Sequence, residues 1–255
     1  RNFIFQYCLE NEYTFYDLRE HTGLMRNLML RNTKSGEWMV NVVFAKEEKE
    51  RIEKLLAAIK EKFNPKALNF CVNTKLNDSI FDQEFISYSG DYEIQEELCG
   101  LRFNISPKSF FQTNPQQAET LYNVALDFAE ISKSDVVYDL YCGTGTITCV
   151  AANSAKNAIG VEIVEEAIAA AKVNAEINNL DNVKFLAGDM KDVFNPEFYK
   201  EHGAPDIIIT DPPRSGMHPK VVEYLAEIAC PKIVYVSCNP ATQARDLAML
   251  DEKYK

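Results

Sequence analysis

The chain has 255 residues, 46 % of them hydrophobic, and carries a formal net charge of −11. That length and apolar share support one large buried core or two smaller ones. No apolar run reaches the roughly 18 to 20 residues of a membrane span, no signal-peptide pattern opens the chain, and the acidic balance disfavours broad, non-specific binding to nucleic acid.

The charge is uneven. Residues 1–95 hold 13 basic and 15 acidic side chains, net −2, whereas 96–255 hold 14 and 23, net −9. In the first part Arg19, Arg26, Arg31 and Lys34 form a local basic cluster, which is either a solvated face or a nucleic-acid contact. "NLMLRN" and "EWMVNVVFA", joined by "TKSG", predict a hairpin. A helix follows in "KEEKERIEKLLAAIKEKF", with Ile52, Leu55, Leu56, Ile59 and Phe63 on one stripe and Pro65 just past its end. "ALNFCV" and "EFISYS" are further strand candidates, and "YEIQEE" with "LRFNIS" forms a short pair. Asn114 caps the next helix, with Pro115 at its first position.

From there strands and helices alternate. "VVYDLY", "NAIGVEI", "VKFLAG", "DIIIT" and "KIVYVS" are near-continuous apolar strands. Between them lie segments containing "TCVAANSA", "EEAIAAAKVNAEINN" and "HPKVVEYLAEIA". This pattern predicts a parallel sheet covered on both faces, which binds ligands beyond the carboxyl ends of its strands. Those ends carry "DLYCGTGT" with Asp139 beside the crevice, then Glu162, 19 residues after Gly143, then Asp189 in "LAGD" and Asp211 in "TDPPRSG". The glycine turn with an acidic residue at that interval suits a ribose diol. Neither GxGxxG nor GxxxxGK[ST] occurs, so a nucleoside with an uncharged-to-cationic tail fits this acidic pocket better than a pyrophosphate.

"DLYCGTGT", "GVEIVEEAI", "TDPPRSG" and "VSCNPATQARD", preceded by "FFQTNPQQAETLY", resemble motifs of the S-adenosylmethionine-dependent RNA uracil-C5 (5-methyluridine) methyltransferases. The pairing of "DPPR" with "SCNP" is the specific element, and the resemblance covers about 100 to 250. It implies an α/β fold, with a Rossmann-like methyltransferase domain over 93–255 preceded by a smaller accessory α+β domain over 1–92. It implies that Gln112, Tyr141, Thr146, Glu162, Asp189 and Asp211 surround S-adenosylmethionine. Glu162 would take the ribose hydroxyls, Asp189 would lie near the adenine, and Asp211 would lie near the methionine end and the target base. Bland readings stand beside these: Asp189 and Asp211 as caps or turn formers, Tyr141 as a core aromatic, Gln112 as a loop amide.

The resemblance also gives Cys238 a role. Uracil C5 is a poor nucleophile until a thiolate adds at C6, and a cysteine thiolate is both a strong nucleophile and an adequate leaving group. Cys238 is then the nucleophile, while Cys8, Cys71, Cys99, Cys142, Cys149 and Cys230 are packing thiols. The cysteines, seven in all and without a CxxC pair, suggest no disulfide framework and no metal site. The implied partner is an exposed uridine of rRNA or tRNA, with no DNA and no membrane, in the cytoplasm. The basic cluster is the candidate backbone contact, and Arg214 and Arg245 are either phosphate contacts or ion-pair members.

The family's H-x-E motif, which carries its proton-abstracting glutamate, does not occur here. Its last two strands, its amino-terminal RNA-binding barrel and any iron–sulfur cysteines are also expected outside these residues, so the chain reads as part of a longer enzyme. A cytosine-C5 RNA methyltransferase shares fold and cofactor but carries Pro-Cys where Pro213 is followed by Arg214. An exocyclic-amine methyltransferase calls for an aromatic there. The reading from another class is a catalytically incomplete RNA- or cofactor-binding module.

Overall fold

The computed structural model describes residues 1–251, 253 and 254. The chain divides into two compact units, 1–97 with 104–109 and 98–103 with 110–255.

In the first unit, helix α1 (Asn2–Glu10) precedes strands β1 (Met25–Asn32) and β2 (Trp38–Phe44). These two pair antiparallel, with Asn32 opposite Trp38. Helix α2 (Lys49–Phe63) then carries the chain to β3 (Ala67–Val72), which pairs parallel with β2, and β4 (Ile86–Gly90) closes the four-stranded sheet antiparallel to β3. A parallel pair needs such a crossover helix. Of the predicted stripe, Ile52, Leu55, Leu56 and Ile59 are buried against Ile4 and Cys8 of α1 and Val40, Val42 and Phe44 of β2, whereas Phe63, the last residue of the helix, is exposed. Asn64 ends α2 in the left-handed conformation, with Pro65 beyond it. Helix α1 was not foreseen: its apolar residues give no clear stripe, and only Ile4 and Cys8 are buried.

The basic cluster is not one surface patch. Arg26 is turned inward, its side chain only 1 % exposed. Its guanidinium donates to Asp78 Oδ1 and to the carbonyls of Asn73, Lys75 and Asn77, and stacks 4.4 Å from the Tyr16 ring centroid. Arg26 therefore staples the 73–78 loop, and Arg31 is half-buried with Nη2 3.5 Å from the Pro107 carbonyl. Arg19 and Lys34 remain exposed.

Strands β5 (Ile94–Leu98) and β6 (Leu101–Ile105) form a two-stranded ladder, and the unit boundaries fall within them. In the second unit, α3 (Pro115–Ala129) precedes β7 (Val136–Leu140), α4 (Thr146–Ala152), β8 (Asn157–Glu162), α5 (Glu165–Ile177) and β9 (Val183–Ala187). Then come α6 (Met190–Val193), α7 (Pro196–His202), β10 (Ile207–Thr210), α8 (Pro219–Ile228), β11 (Lys232–Tyr235) and α9 (Pro240–Leu250). The five strands lie in the order β11-β10-β7-β8-β9, and every pairing is parallel. Alternation along each strand builds two cores, one per face. Val137, Ile207, Ile209 and Val234 join α3, α4 and α5 in one, and Tyr138, Leu140, Ile208 and Ile159 join α8 residues in the other. The strand order reverses between β7 and β10, where an open parallel sheet forms its ligand crevice. Among the described residues no helix is long and apolar enough to cross a membrane, and no group of His, Cys, Asp or Glu is arranged to hold a metal.

Candidate active site

The loop after β7 alternates left-handed residues: Tyr141 (φ 68), Gly143 (φ 54) and Gly145 (φ 80). Gly145 is needed twice over. Its φ suits glycine, and a Cβ would lie 2.8 Å from the Phe185 ring and 2.9 Å from Ala171 Cβ. At Gly143 a Cβ would meet nothing within 4 Å, so the backbone there is open to approach. Glu162, at the end of β8, holds this loop: Oε2 accepts from Gly143 N at 3.1 Å, and Oε1 from Ile163 N and Val164 N at 2.9 and 3.1 Å. A carboxylate has about four acceptor sites, so one is left for a ligand hydroxyl.

Asp139 and Asp211 carry the electrostatics. Asp139 is buried in β7. Oδ2 accepts the Thr148 hydroxyl at 2.6 Å, and Oδ1 is buried with no hydrogen-bond partner. Burial pushes its carboxyl up to about 7, against the Thr148 hydroxyl, and Asp211 nearby adds to the rise. Burial also pushes Asp211 up to about 6. Two carboxyls starved of counter-charge, one with an orphaned oxygen, suit a ligand that brings a cation and would repel a pyrophosphate. A nucleoside with a positively charged tail fits these residues.

Tyr141 is half-buried beside Asp189, Asp246 and Glu162, and burial pushes its phenol up to about 12. The Thr146 hydroxyl lies 3.3 Å from the Tyr122 hydroxyl of α3. Asp189 caps α6: Oδ1 accepts from Lys191 N, and Oδ2 pairs with Lys191 Nζ at 2.7 Å, which holds the carboxyl below its usual range. Gln112 lies in the loop before α3, half-buried, behind Phe111, whose ring is 6.5 Å from that of Phe103. No hydrogen bond of its amide is found among the described residues.

Cys238 follows β11. Thr210 pairs with Tyr235, and Val236 N donates to the Thr210 carbonyl at 2.9 Å, so Asp211 falls beside the segment that leads to Cys238. Ser237 Oγ accepts from Asn239 N, and Asn239 Oδ1 accepts from Ala241 N as the cap of α9, with Pro240 at its first turn. Cys238 thus stands at the positive end of the α9 dipole. Of the seven cysteines it alone is exposed: five are buried and Cys99 is half-buried. Arg245 is an ion-pair member, with Nη2 2.6 Å from Asp246 Oδ1, and the Arg214 side chain is exposed.

The sheet brings Tyr141, Thr146, Glu162, Asp189, Asp211 and Cys238 to the carboxyl ends of five neighbouring strands. Sequence reasoning overlooked Tyr122, whose spacing marks it only as core. It also overlooked Asp246, whose only signal is its place about two turns beyond the Asn239 cap.

An all-parallel α/β sheet with this strand-end site defines a Rossmann-like methyltransferase fold. The family model described as tRNA (Uracil-5-)-methyltransferase matches residues 18–255, and the chain belongs to that family. A Porphyromonas gingivalis protein described as an uncharacterized RNA methyltransferase is 50 % identical over 100 % of this chain and 56 % of its own length. One so described from Bacteroides thetaiotaomicron is 48 % identical over 100 % of this chain and 57 % of its own. The crystal structure of Pyrococcus abyssi tRNA (uracil-54, C5)-methyltransferase in complex with S-adenosyl-L-homocysteine is similar, with TM-score 0.78 and 32 % identity over 96 % of this chain and 58 % of that one. The chain therefore spans little more than half the length of these relatives.

Proposed function

We propose that the protein methylates C5 of a uridine in RNA, with S-adenosylmethionine as methyl donor and Cys238 as covalent nucleophile. The observation that carries this reading is the placement of Cys238. It is the one exposed thiol, at a strand end next to the strand that ends in Asp211. Family membership and the similar structure's bound S-adenosyl-L-homocysteine support the cofactor.

Bound S-adenosylmethionine supplies an electrophilic methyl on a sulfonium. Glu162 is the residue to accept from the ribose diol at its one open acceptor site, Asp189, Tyr141 and Gln112 to border the adenosine, and Asp139 and Asp211 to face the cationic end. Thr146 orients within the loop through Tyr122. In the chemical step the Cys238 thiolate adds to uracil C6, forming an S–C6 bond and moving the C5=C6 pair onto C5 and O4. C5 would then bond to the methyl carbon while the methyl–sulfonium bond breaks, its electron pair staying on sulfur so that S-adenosylhomocysteine is the leaving group. A base removes the C5 proton, and the electron pair left behind re-forms the C5=C6 bond and expels the thiolate. The uridine must be unstacked for Sγ to reach C6, so a loop or a flipped base is required. The family description and the similar structure make tRNA the first substrate to try, before rRNA.

The test is intact mass after incubation with S-adenosylmethionine and tRNA transcripts containing 5-fluorouridine. Fluorine at C5 cannot leave as a proton, so a methylated adduct accumulates. We expect a protein–RNA adduct in wild type and none in Cys238→Ala. Adduct persisting in Cys238→Ala, or methylation on cytosine or an exocyclic amine of ordinary tRNA, overturns the reading.

A further inference from the structure

We infer that Asp246, with Arg245 and Tyr235, is a positioning residue for Cys238: it clasps the loop that begins at Asp211 to the helix that begins just after the nucleophile. The inference rests on the reading of Cys238 given above.

Cys238 lies in the short connection between β11 and α9, so its place is set by where that helix sits. One face of α9 grips the 211–218 loop. Asn239 Nδ2 donates to the Arg214 carbonyl at 2.9 Å, and Thr242 Oγ1 lies 3.3 Å from the same carbonyl. Arg245 Nη2 donates to the carbonyls of Ser215 and Met217 at 3.0 and 3.2 Å. Asp246 closes the arrangement. Its side chain is fully buried, with Oδ2 accepting from Met217 N at 2.8 Å and from the Tyr235 hydroxyl at 2.7 Å. Oδ1 accepts from Arg245 Nε at 2.9 Å and Nη2 at 2.6 Å. Four donors match the acceptor capacity of a carboxylate, and two come from a guanidinium, the stronger kind of bond. The donors belong to three pieces of chain: the loop after β10, the strand β11 and the helix α9.

The fit leaves no slack. Gly216 has φ 78, and a Cβ there would lie 2.5 Å from Arg245 Nη2 and 2.7 Å from Asp246 Oδ2. Gln243 Nε2 adds a bond to the Tyr235 carbonyl at 2.9 Å, tying α9 back to the strand before Cys238. Asp246 is fully buried with its oxygens taken by these four donors, so it acts through the groups that it holds. Their effect is to hold the thiol against the Asp211 side of the crevice, and a reaction between held groups is sensitive to displacements of about 1 Å.

Single-turnover adduct formation separates this role from mere stability. Protein in excess over 5-fluorouridine tRNA, at saturating S-adenosylmethionine, gives a rate constant, while the stoichiometry of cofactor binding gives the folded fraction. Loss of folded molecules lowers that stoichiometry and leaves the rate constant alone. Displacement of Cys238 lowers the rate constant of molecules that still bind cofactor. We expect Asp246→Asn to bind cofactor within threefold of wild-type affinity and to form adduct at least 100-fold more slowly. Tyr235→Phe, which removes one donor and leaves the carboxylate, should be about tenfold slower and serves if Asp246→Asn does not fold. Rate constants within threefold of wild type in the folded variants overturn the inference. Absence of a Cys238-dependent adduct in wild type overturns the reading on which it rests, and the inference with it.

Discussion

At the scale of single residues, the two raised carboxyls set the character of the crevice. An unfolded Asp139 ionises near pH 4, whereas the folded one holds its proton to about 7 because burial opposes the charge. Between those values the folded state binds more protons than the unfolded, so this group contributes stability that is lost as pH rises from about 4 to about 7. Asp139→Asn removes the dependence. Relative to wild type it should gain of the order of 2 kcal/mol at pH 8 and little at pH 4, with part of the gain offset because its Nδ2–H inherits the orphaned position. Chemical denaturation at the two pH values reads this out, and parallel stability curves would show that Asp139 ionises normally. The same variant should bind the cationic cofactor roughly tenfold more weakly, since a charge has been removed from the crevice.

At the scale of elements, four of the seven helices of the second unit, α3, α7, α8 and α9, start in a common way. Asn114-Pro115, Asn195-Pro196 and Asn239-Pro240 each place a capping amide before a proline, and His218-Pro219 follows the same plan. A cap of this kind contributes about 1 kcal/mol, so Asn114→Ala should lower stability by about that much in urea denaturation. Asn239 has a second task. Its Oδ1 caps α9 while its Nδ2 holds the Arg214 carbonyl. Asn239→Ala should therefore cost about 2 kcal/mol or more, and equal costs at 114 and 239 would show that the Arg214 bond contributes nothing. Both caps are legible as Asn-Pro pairs at the edge of a periodic segment. The second bond is not, because its acceptor lies 25 residues away in sequence.

At the scale of the whole molecule, each unit has a core of its own. The first is centred on Leu55, Leu56, Val42 and Phe44, and the second is divided between the two faces of the parallel sheet. We propose that each unit unfolds as its own cooperative transition, with cofactor binding confined to residues 98–103 and 110–255. S-adenosylmethionine at about 100 times its Kd should then stabilise one calorimetric transition by about 2.7 kcal/mol and leave the other in place. Leu55→Ala, at a fully buried position, should lower only the other, by about 2 to 5 kcal/mol. A single transition moved by both would show that the units unfold together. The accessory role proposed for the first unit also narrows: with Arg26 spent on the 73–78 loop, an RNA backbone contact there rests on Arg19, Arg31 and Lys34, two of them exposed.

The sequence by itself determined the parallel sheet, its strand ends and the family. Apolar runs of strand length, a glycine turn and the "DPPR" and "SCNP" pair are local patterns, and local patterns survive without knowledge of what packs against them. It also marked Glu162, Asp189 and Asp211, because in a parallel sheet every strand end of one direction faces one crevice, and the family resemblance marked Cys238. Only the tertiary structure decided which charges are available there. Arg26 is consumed by Asp78 and by carbonyls of the 73–77 stretch, and Arg245 by the neighbouring Asp246 and by the carbonyls of Ser215 and Met217, far back along the chain. Asp189 turns out to be capped and paired with Lys191, while Asp139 is left with an orphaned oxygen. Asp246, three residues past Gln243 on one helix, becomes the hub of three chain segments. Whether a polar side chain is free, paired or buried depends on partners brought by the fold, and no spacing along the chain encodes them.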